Sequence, residues 1–314
     1  MPRLNLNDTM KLRSDYEVLW KPIIEENLDV CPEVDVFHVN TFEGLSYPSA
    51  SRTVRPSAKF TKMNQGTKPV KGQYESRLVQ TYPILQNLEV DKRNATAQKL
   101  NEEMTGAFLG CKATIGRQMF YGDAADPDGF PGFPQLWEYW SKTLGKKDAL
   151  AVNAGGTNGG SSSVWLVSLQ QDAISLEFGG NTTLDLSPWE EGYAYDDEGG
   201  KFPAFLSSMT ANSGIAVRSR HTLGRIYNLT EEKGKGLTDD IVADLIAKMK
   251  ATPHFLFMTR KARRQLQRSR AIVRETGGND VYAPIPEESN KVPIIVTDSL
   301  SDEEAIIAKD PWAK

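Results

Sequence analysis

The longest regular pattern of apolar positions lies between residues 91 and 121. Ala97, Leu100, Met104, Phe108, Cys111, Ile115 and Met119 follow one another at steps of three and four. This is the period of an α-helix with one buried stripe, sustained over about 40 Å of helix rise. Asp91 opens the segment and Tyr121-Gly122-Asp123 closes it. Gly106, Gly110 and Gly116 each cost about 1 kcal/mol of helix propensity relative to Ala, so they imply a backbone crossing closely there. Upstream, Asn7-Asp8-Thr9 can cap a helix over residues 10–27, with Leu12, Tyr16, Leu19, Trp20, Ile23 and Ile24 on one face. Pro22 sits inside it, where a proline kinks or breaks a helix. Val34, Val36 and Val39 then read as a short strand.

Between residues 44 and 90 the chain reads as extended. Residues 45–60 and 73–90 flank Asn64-Gln65-Gly66-Thr67-Lys68-Pro69, whose turn chemistry predicts one long β-hairpin. Its centre is poor in apolar residues and its length carries Arg52, Arg55, Lys59, Lys62, Lys68, Lys71 and Arg77. An isolated two-stranded ribbon is marginal in water, so this one needs another surface, and a neighbouring copy is the natural candidate.

Beyond the long helix, an Asp/Pro/Gly-rich loop at 123–134 leads to a short helix over 136–144 and a Gly/Ser/Asn linker over 154–163. Residues 164–178 alternate as two strands meeting near Gln170-Gln171-Asp172. Residues 181–205 are polar and acidic, with Glu190, Glu191, Asp196, Asp197 and Glu198, and 214–229 form one bent strand or two shorter ones. Thr238 caps a helix over 239–250, followed by a strand at 254–258, a basic helix at 261–275 and a closing strand at 292–297. No internal repeat is present, and the class is α+β.

Composition narrows the function classes without choosing one. Hydrophobic residues make up 39% and charged residues 25% of the 314-residue chain, as in an ordered globular protein. A formal net charge of −4 argues against wholesale binding to nucleic acid or an anionic membrane. No apolar run approaches the roughly 20 residues that span a bilayer, and Met1-Pro2-Arg3-Leu4-Asn5 lacks a signal-peptide core, so cytoplasmic synthesis is expected. Cys31 and Cys111 read as reduced thiols, and His38, His221 and His254 are isolated from one another.

The chemical motifs fail on spacing. Ala154-Gly155-Gly156-Thr157-Asn158-Gly159-Gly160 lacks the Gly-Lys-Ser/Thr ending of a phosphate loop and precedes a strand. Asp126-Pro127-Asp128-Gly129 would put Gln135 where a calcium loop needs a bidentate Glu, so it reads as a turn. The sequons at Asn94, Asn181 and Asn228 carry no weight without secretion. No catalytic residues, metal ligands or cofactor contacts emerge, and the expectation is a non-enzyme. The basic run Arg260, Lys261, Arg263, Arg264, Arg268, Arg270 and Arg274 is a candidate nucleic-acid contact, but no aromatic interleaves with it. Pairing with acidic groups of a neighbouring copy fits it better.

The order of these parts resembles the major capsid proteins of tailed bacteriophages with the Hong Kong 97-type fold. Phe42-Glu43-Gly44-Leu45-Ser46-Tyr47 is similar to the family's lead into its E-loop hairpin, and Leu88-Glu89-Val90-Asp91-Lys92-Arg93 to its exit into the spine helix. Gly116-Arg117-Gln118-Met119-Phe120-Tyr121-Gly122-Asp123 resembles the end of the spine, and Asp128-Gly129-Phe130-Pro131-Gly132 the following turn. Ser163-Val164-Trp165-Leu166-Val167-Ser168-Leu169, Ala216-Val217-Arg218-Ser219-Arg220, His254-Phe255-Leu256-Phe257-Met258-Thr259-Arg260 and Val292-Pro293-Ile294-Ile295-Val296-Thr297-Asp298 look like strands of short-tailed phage members. Their order, across about residues 33–300, carries the resemblance.

The resemblance implies an N-terminal arm (1–43), an E-loop (44–90), a spine helix with the start of the peripheral domain (91–150), peripheral strands (151–229) and an axial domain with a C-terminal return (230–314). In that order the peripheral-looking strands precede the axial segment, a permutation relative to the best-known members. It further implies pentamers and hexamers of an icosahedral head around double-stranded DNA, assembled in the host bacterial cytoplasm. The expected partners are other copies, a separate scaffold protein, a portal, a decoration or cement protein, and packaged DNA contacted weakly. The E-loop cations Arg52 to Arg77 are expected to lie across a neighbour, with Glu190, Glu191, Asp196, Asp197 and Glu198 as landing surface. Arg260, Arg263, Arg264 and Arg268 are assigned to the axial domain. Some members cross-link an E-loop lysine, a place Lys68 or Lys71 could take, but no motif marks the partner Asn or Glu. The alternative is an encapsulin-like compartment shell or another virion component of the same fold.

Overall fold

A computed structural model describes residues 30–143, 150–170, 173–276 and 283–307; the helix predicted over 10–27 lies outside them. After Pro32 the chain makes one helical turn, α1 (Glu33–Val36), which takes Val34 and Val36 of the predicted strand, and then enters β1 (His38–Phe42), which holds Val39. Next come β2 (Ser46–Val54), β3 (Gln73–Gln80) and β4 (Tyr82–Asp91). The spine, α2 (Ala97–Tyr121), and α3 (Phe133–Thr143) follow, then β5 (Ala151–Asn153), β6 (Ser162–Val167), β7 (Ile174–Gly179), β8 (Asp185–Leu186), β9 (Glu190–Tyr195), β10 (Lys201–Val217) and β11 (Leu223–Leu229). The rest is α4 (Asp239–Lys248), β12 (Phe255–Met258), α5 (Arg260–Thr276), β13 (Glu288–Ser289) and β14 (Val292–Val296).

These strands form three sheets. The spine sheet runs β1-β7-β10-β4, with β8 and β9 also on β10. A second sheet runs β13-β14-β12-β6-β11-β5, and β2 and β3 pair only with each other. The predicted hairpin is thereby corrected: its second arm breaks at Thr81, and β4 leaves β3 to pair antiparallel with β10 from Tyr82↔Ser213 to Asp91↔Ala204. The apolar alternation of β4 belongs to the body, where Leu88 and Val90 are buried.

The strand pairs predicted at 164–178 and 214–229 are likewise divided. β6 and β11 are in the second sheet, whereas β7 and β10 are in the spine sheet. The chain therefore crosses between these two sheets three times, and a boundary at residue 229 does not follow sheet membership, because β5, β6 and β11 share a sheet with β12 to β14. Sequence reading also misses residues 201–213, which extend β10 to 17 residues.

The spine helix starts where Thr96 Oγ1 accepts from Lys99 N at 3.2 Å, one turn after the predicted start; Asp91 caps the preceding 3-10 turn instead. It ends at Gly122, whose φ of +55° favours glycine. Close backbone approach occurs at Gly132, where an added Cβ would lie 2.6 Å from Gln118 O and from Gly122 N. At Gly116 the neighbours are side chains, the Glu33 carboxyl and Ser299 Oγ, so the expectation of a crossing backbone is corrected there. Cys111, Ile115 and Met119 are buried as the period predicts, but Phe108 is 43% exposed and its neighbour Ala107 is buried instead.

One core runs from the spine sheet through α2 into one face of the second sheet, joining Leu176, Phe178 and Met209 to Phe120, Phe133, Trp137, Trp165 and Phe257. Most of its ring pairs are tilted or edge to face, with Phe133 and Trp137 each 5.3 Å from Trp165 between centroids, and Phe37 stacks on Phe257 at 5.7 Å. The other face of the second sheet, Val164, Leu166, Ile226 and Leu256, packs on Val242 and Leu245 of α4 and Ala262 and Leu266 of α5. Both faces of β6 and β11 are therefore buried along their length.

The predicted linker at 154–163 is a pinned loop. Glu232 accepts from Thr157 N at 2.9 Å and Asn158 Nδ2 at 3.0 Å, and Ser161 to Ser163 are buried. Asp126 Oδ1 accepts from Asp128 N at 3.0 Å, an ordinary Asx turn. Among the described residues no group of acids, histidines and cysteines could hold a metal ion, and no helix is long and apolar enough to cross a membrane.

Candidate functional site

The β2–β3 hairpin is the segment least accounted for by its own chain. Its pairing stops at Val54↔Gln73, and residues 55–72 contain no regular element beyond a turn. Gln65 N donates to Lys62 O at 3.1 Å, and Asn64 takes the left-handed φ of 66° that asparagine tolerates. The turn thus sits at residues 62–65, slightly before the predicted tip at 64–69.

The hairpin's two faces differ. Tyr47, Ser49, Ser51, Glu75, Arg77 and Val79 are partly or fully buried, while Pro48, Ala50, Arg52, Tyr74, Ser76 and Leu78 are exposed. This period of two places one face over the body. The seven predicted cations divide accordingly. Arg52 lies over the Tyr74 ring at 5.1 Å and donates to its hydroxyl at 2.6 Å on the outer face. Arg77 points inward over the Tyr139 ring of α3 at 5.0 Å, and burial lowers its pKa. Arg77 is therefore engaged within its own chain. Arg55, Lys59, Lys62, Lys68 and Lys71 are exposed at the tip, without an ion pair to any described residue.

Sequence reading missed two apolar residues among those cations. Phe60 and Met63 are fully exposed, at 110% and 96%. Large apolar side chains act as binding anchors once a partner buries them. The available signal was a lone aromatic in a stretch too polar to bury it.

The predicted acidic surface is one edge of the spine sheet. β9 and β10 form a hairpin whose turn holds Asp196, Asp197 and Glu198, all exposed, as are Glu190 and Glu191. Two of these acids are partly committed. Glu191 pairs with Lys92 at 2.6 Å, and Asp196 accepts from Glu198 N and Gly200 N to shape the turn. Tyr193 and Tyr195 stand out between them at 60% and 64% exposure, giving an edge both acidic and aromatic.

The basic helix α5 is only partly free. Arg260 pairs with Asp298 at 2.7 Å, Lys261 lies 3.9 Å from Glu231, and Arg270 makes a two-pronged bond to Asp239 at 2.7 Å. The bonds from Arg270 hold the Asp239 carboxyl below its usual range. Acids of the same chain thus take contacts expected from a neighbour. Arg264 and Arg268 remain exposed one turn apart, in line with Arg260, and Arg263 is half-buried.

The family model of major capsid protein GP7 matches residues 34–307. The chain belongs to that family. No curated protein sequence matches it. Among solved structures, a chain of bacteriophage Epsilon15 is 19% identical, with 95% of each chain covered and a TM-score of 0.62. The capsid of bacteriophage JBD30 is 10% identical, covering 92% of this chain and 97% of that one, with a TM-score of 0.53. An encapsulin of Synechococcus elongatus PCC 7942 is 10% identical over 72% of this chain and 96% of its own, with a TM-score of 0.43, too low to bear on function. The fold is that of tailed-phage capsid subunits, the Hong Kong 97-type. The capsid protein forms the virion head by self-association.

Proposed function

We propose that this capsid protein builds hexamers and pentamers of an icosahedral head around double-stranded DNA, and that the tip of each E-loop lies across the β9–β10 edge of a neighbouring copy. The observation that carries this reading is the tip itself, where Phe60 and Met63 are fully exposed among five unpaired cations. Apolar anchors would supply affinity on the exposed Tyr193 and Tyr195, while the cations facing Glu190, Asp197 and Glu198 would set register. Each contact is modest, and closure of a lattice makes many of them cooperative.

In this reading the spine sheet with α2 is the peripheral domain, and the second sheet with α4 and α5 is the axial domain. Arg264 and Arg268 then face a neighbour around the capsomer centre; binding of double-stranded DNA by unassembled subunits, lost steeply with salt, would assign them to the packaged genome instead. The role is structural and non-enzymatic. Assembly takes place in the host cytoplasm with a separate scaffold protein and a portal, and a decoration protein completes the set.

Reversing Lys59 and Lys62 to Glu tests the charge component, and Phe60→Ala tests the anchor. Both variants should remain folded by circular dichroism and fail to form particles by electron microscopy. Normal particles from both would contradict the proposed contact.

A further inference from the structure

The hairpin is attached to the body through few points, and those points differ in kind. Its backbone joins the body at Gly44, with φ of +86°, and at Thr81, whose N and Oγ1 donate to Leu45 O at 2.9 and 3.1 Å. These bonds close the base but leave the tilt of the ribbon to its side chains, because β2 and β3 pair with no other strand. On the inner face Val79 is buried, Arg77 lies on Tyr139, and a polar cluster lies under Tyr47.

In that cluster Arg218, just past β10, donates through Nη2 to Tyr47 Oη at 2.9 Å and to Glu177 Oε1 at 2.9 Å. Through Nη1 it donates to Ser175 Oγ at 2.7 Å. Glu177 also accepts from Ser175 Oγ at 2.6 Å and Asn40 Nδ2 at 3.2 Å, and its side chain is 2% exposed. Phe42 meets the Tyr47 ring edge-on at 4.8 Å. A carboxylate buried this deeply is expensive unless fully bonded, and Arg218 meets that need together with Ser175 and Asn40. Tyr47 brings the hairpin into this cluster through its hydroxyl.

Farther out the contact loosens. A pocket of about 70 Å³ separates Ser49, Ser51 and Glu75 of the hairpin from Phe130, Pro131 and Leu136 of the body. Small polar side chains over an unfilled space offer little resistance to tilting.

We propose that Glu177 and Arg218 are positioning residues that fix the angle of the hairpin through the Tyr47 hydroxyl, so that the tip meets a neighbour in one orientation. This rests on the reading of the tip as an inter-subunit contact. Tyr47→Phe is the clean test, because it keeps the ring on Phe42 and leaves Arg218 bonded to Glu177 and Ser175.

Spin labels at Lys62→Cys on the tip and Asp244→Cys on α4, in a Cys31→Ser background, report the tip-to-body distance in unassembled subunits. Tyr47→Phe should broaden and shift that distance distribution while leaving the thermal midpoint unchanged, and its particles should be fewer and irregular. An unchanged distribution would overturn the brace, whatever the particles look like. A broadened distribution with normal particles would uphold the brace and overturn the claim that tip orientation governs assembly.

Discussion

Glu304 shows how much of this molecule depends on single buried contacts. Its carboxylate accepts from Arg225 at 2.9 Å, from Tyr121 Oη at 2.7 Å and from Ser163 Oγ, and both members of the ion pair are less than 10% exposed. Burial, with the Glu304 charge second, pushes the Tyr121 phenol up and keeps it a donor. Glu304→Ala would take from buried Arg225 its carboxylate partner while Ser163 Oγ still accepts from it, a loss of about 3 kcal/mol. Denaturant titration should show that drop in midpoint; a change within error would contradict it. Glu33 is the opposite case. It is wholly buried beside Ser299, its Oε2 has no hydrogen-bond partner among the described residues, and burial raises its pKa above 4.5. The folded state therefore holds this proton more tightly than the unfolded state. The stabilisation is complete below the ordinary glutamate pKa and fades as pH rises through the folded value. Glu33→Gln should flatten that part of the stability–pH curve, and a variant with the same pH slope as the wild type would refute the assignment. Neither site was legible in sequence, since Glu304 meets Arg225 across 79 positions and Glu33 meets Ser299 across 266.

At the scale of elements, legibility followed burial. The spine declared itself through its apolar period, which is buried in the C-terminal half of α2, and α4 through Thr238, which caps it on Ile241 N at 3.3 Å. β6, β11 and β12 were found because both of their faces are covered. By contrast, β10 pairs with four strands along 17 residues, so its burial pattern shifts with each partner and its first half looked like loop. Which sheet a strand joins is decided by partners distant in sequence, and for that reason β6 and β7 looked like one hairpin. Gly116 was legible as a special position and misread in its cause. A methyl group there would overlap the Glu33 carboxyl, which has no free space to retreat into. Gly116→Ala should cost about 1–3 kcal/mol by overpacking despite the better helix propensity of alanine. A thermal midpoint equal to or above the wild type would show that α1 can give way.

At the scale of the whole molecule, the described chain has two covered sheets, one spine and a ribbon whose tip contacts nothing of its own. Residue chemistry had located the ribbon and its charge, and the ordered resemblance gave it a destination. The structure sharpened this by removing Arg52 and Arg77 from the free cations and adding Phe60 and Met63 as anchors. Assembly then rests on apolar contact ordered by charge, with the hairpin angle fixed from the spine sheet. The most direct test is a cryo-electron microscopy reconstruction of particles formed by the wild-type chain. Closed icosahedral shells are expected in which each tip, at Phe60 and Met63, covers Tyr193 and Tyr195 of an adjacent copy. Shells in which the tip folds back on its own subunit or stands in solvent would contradict this.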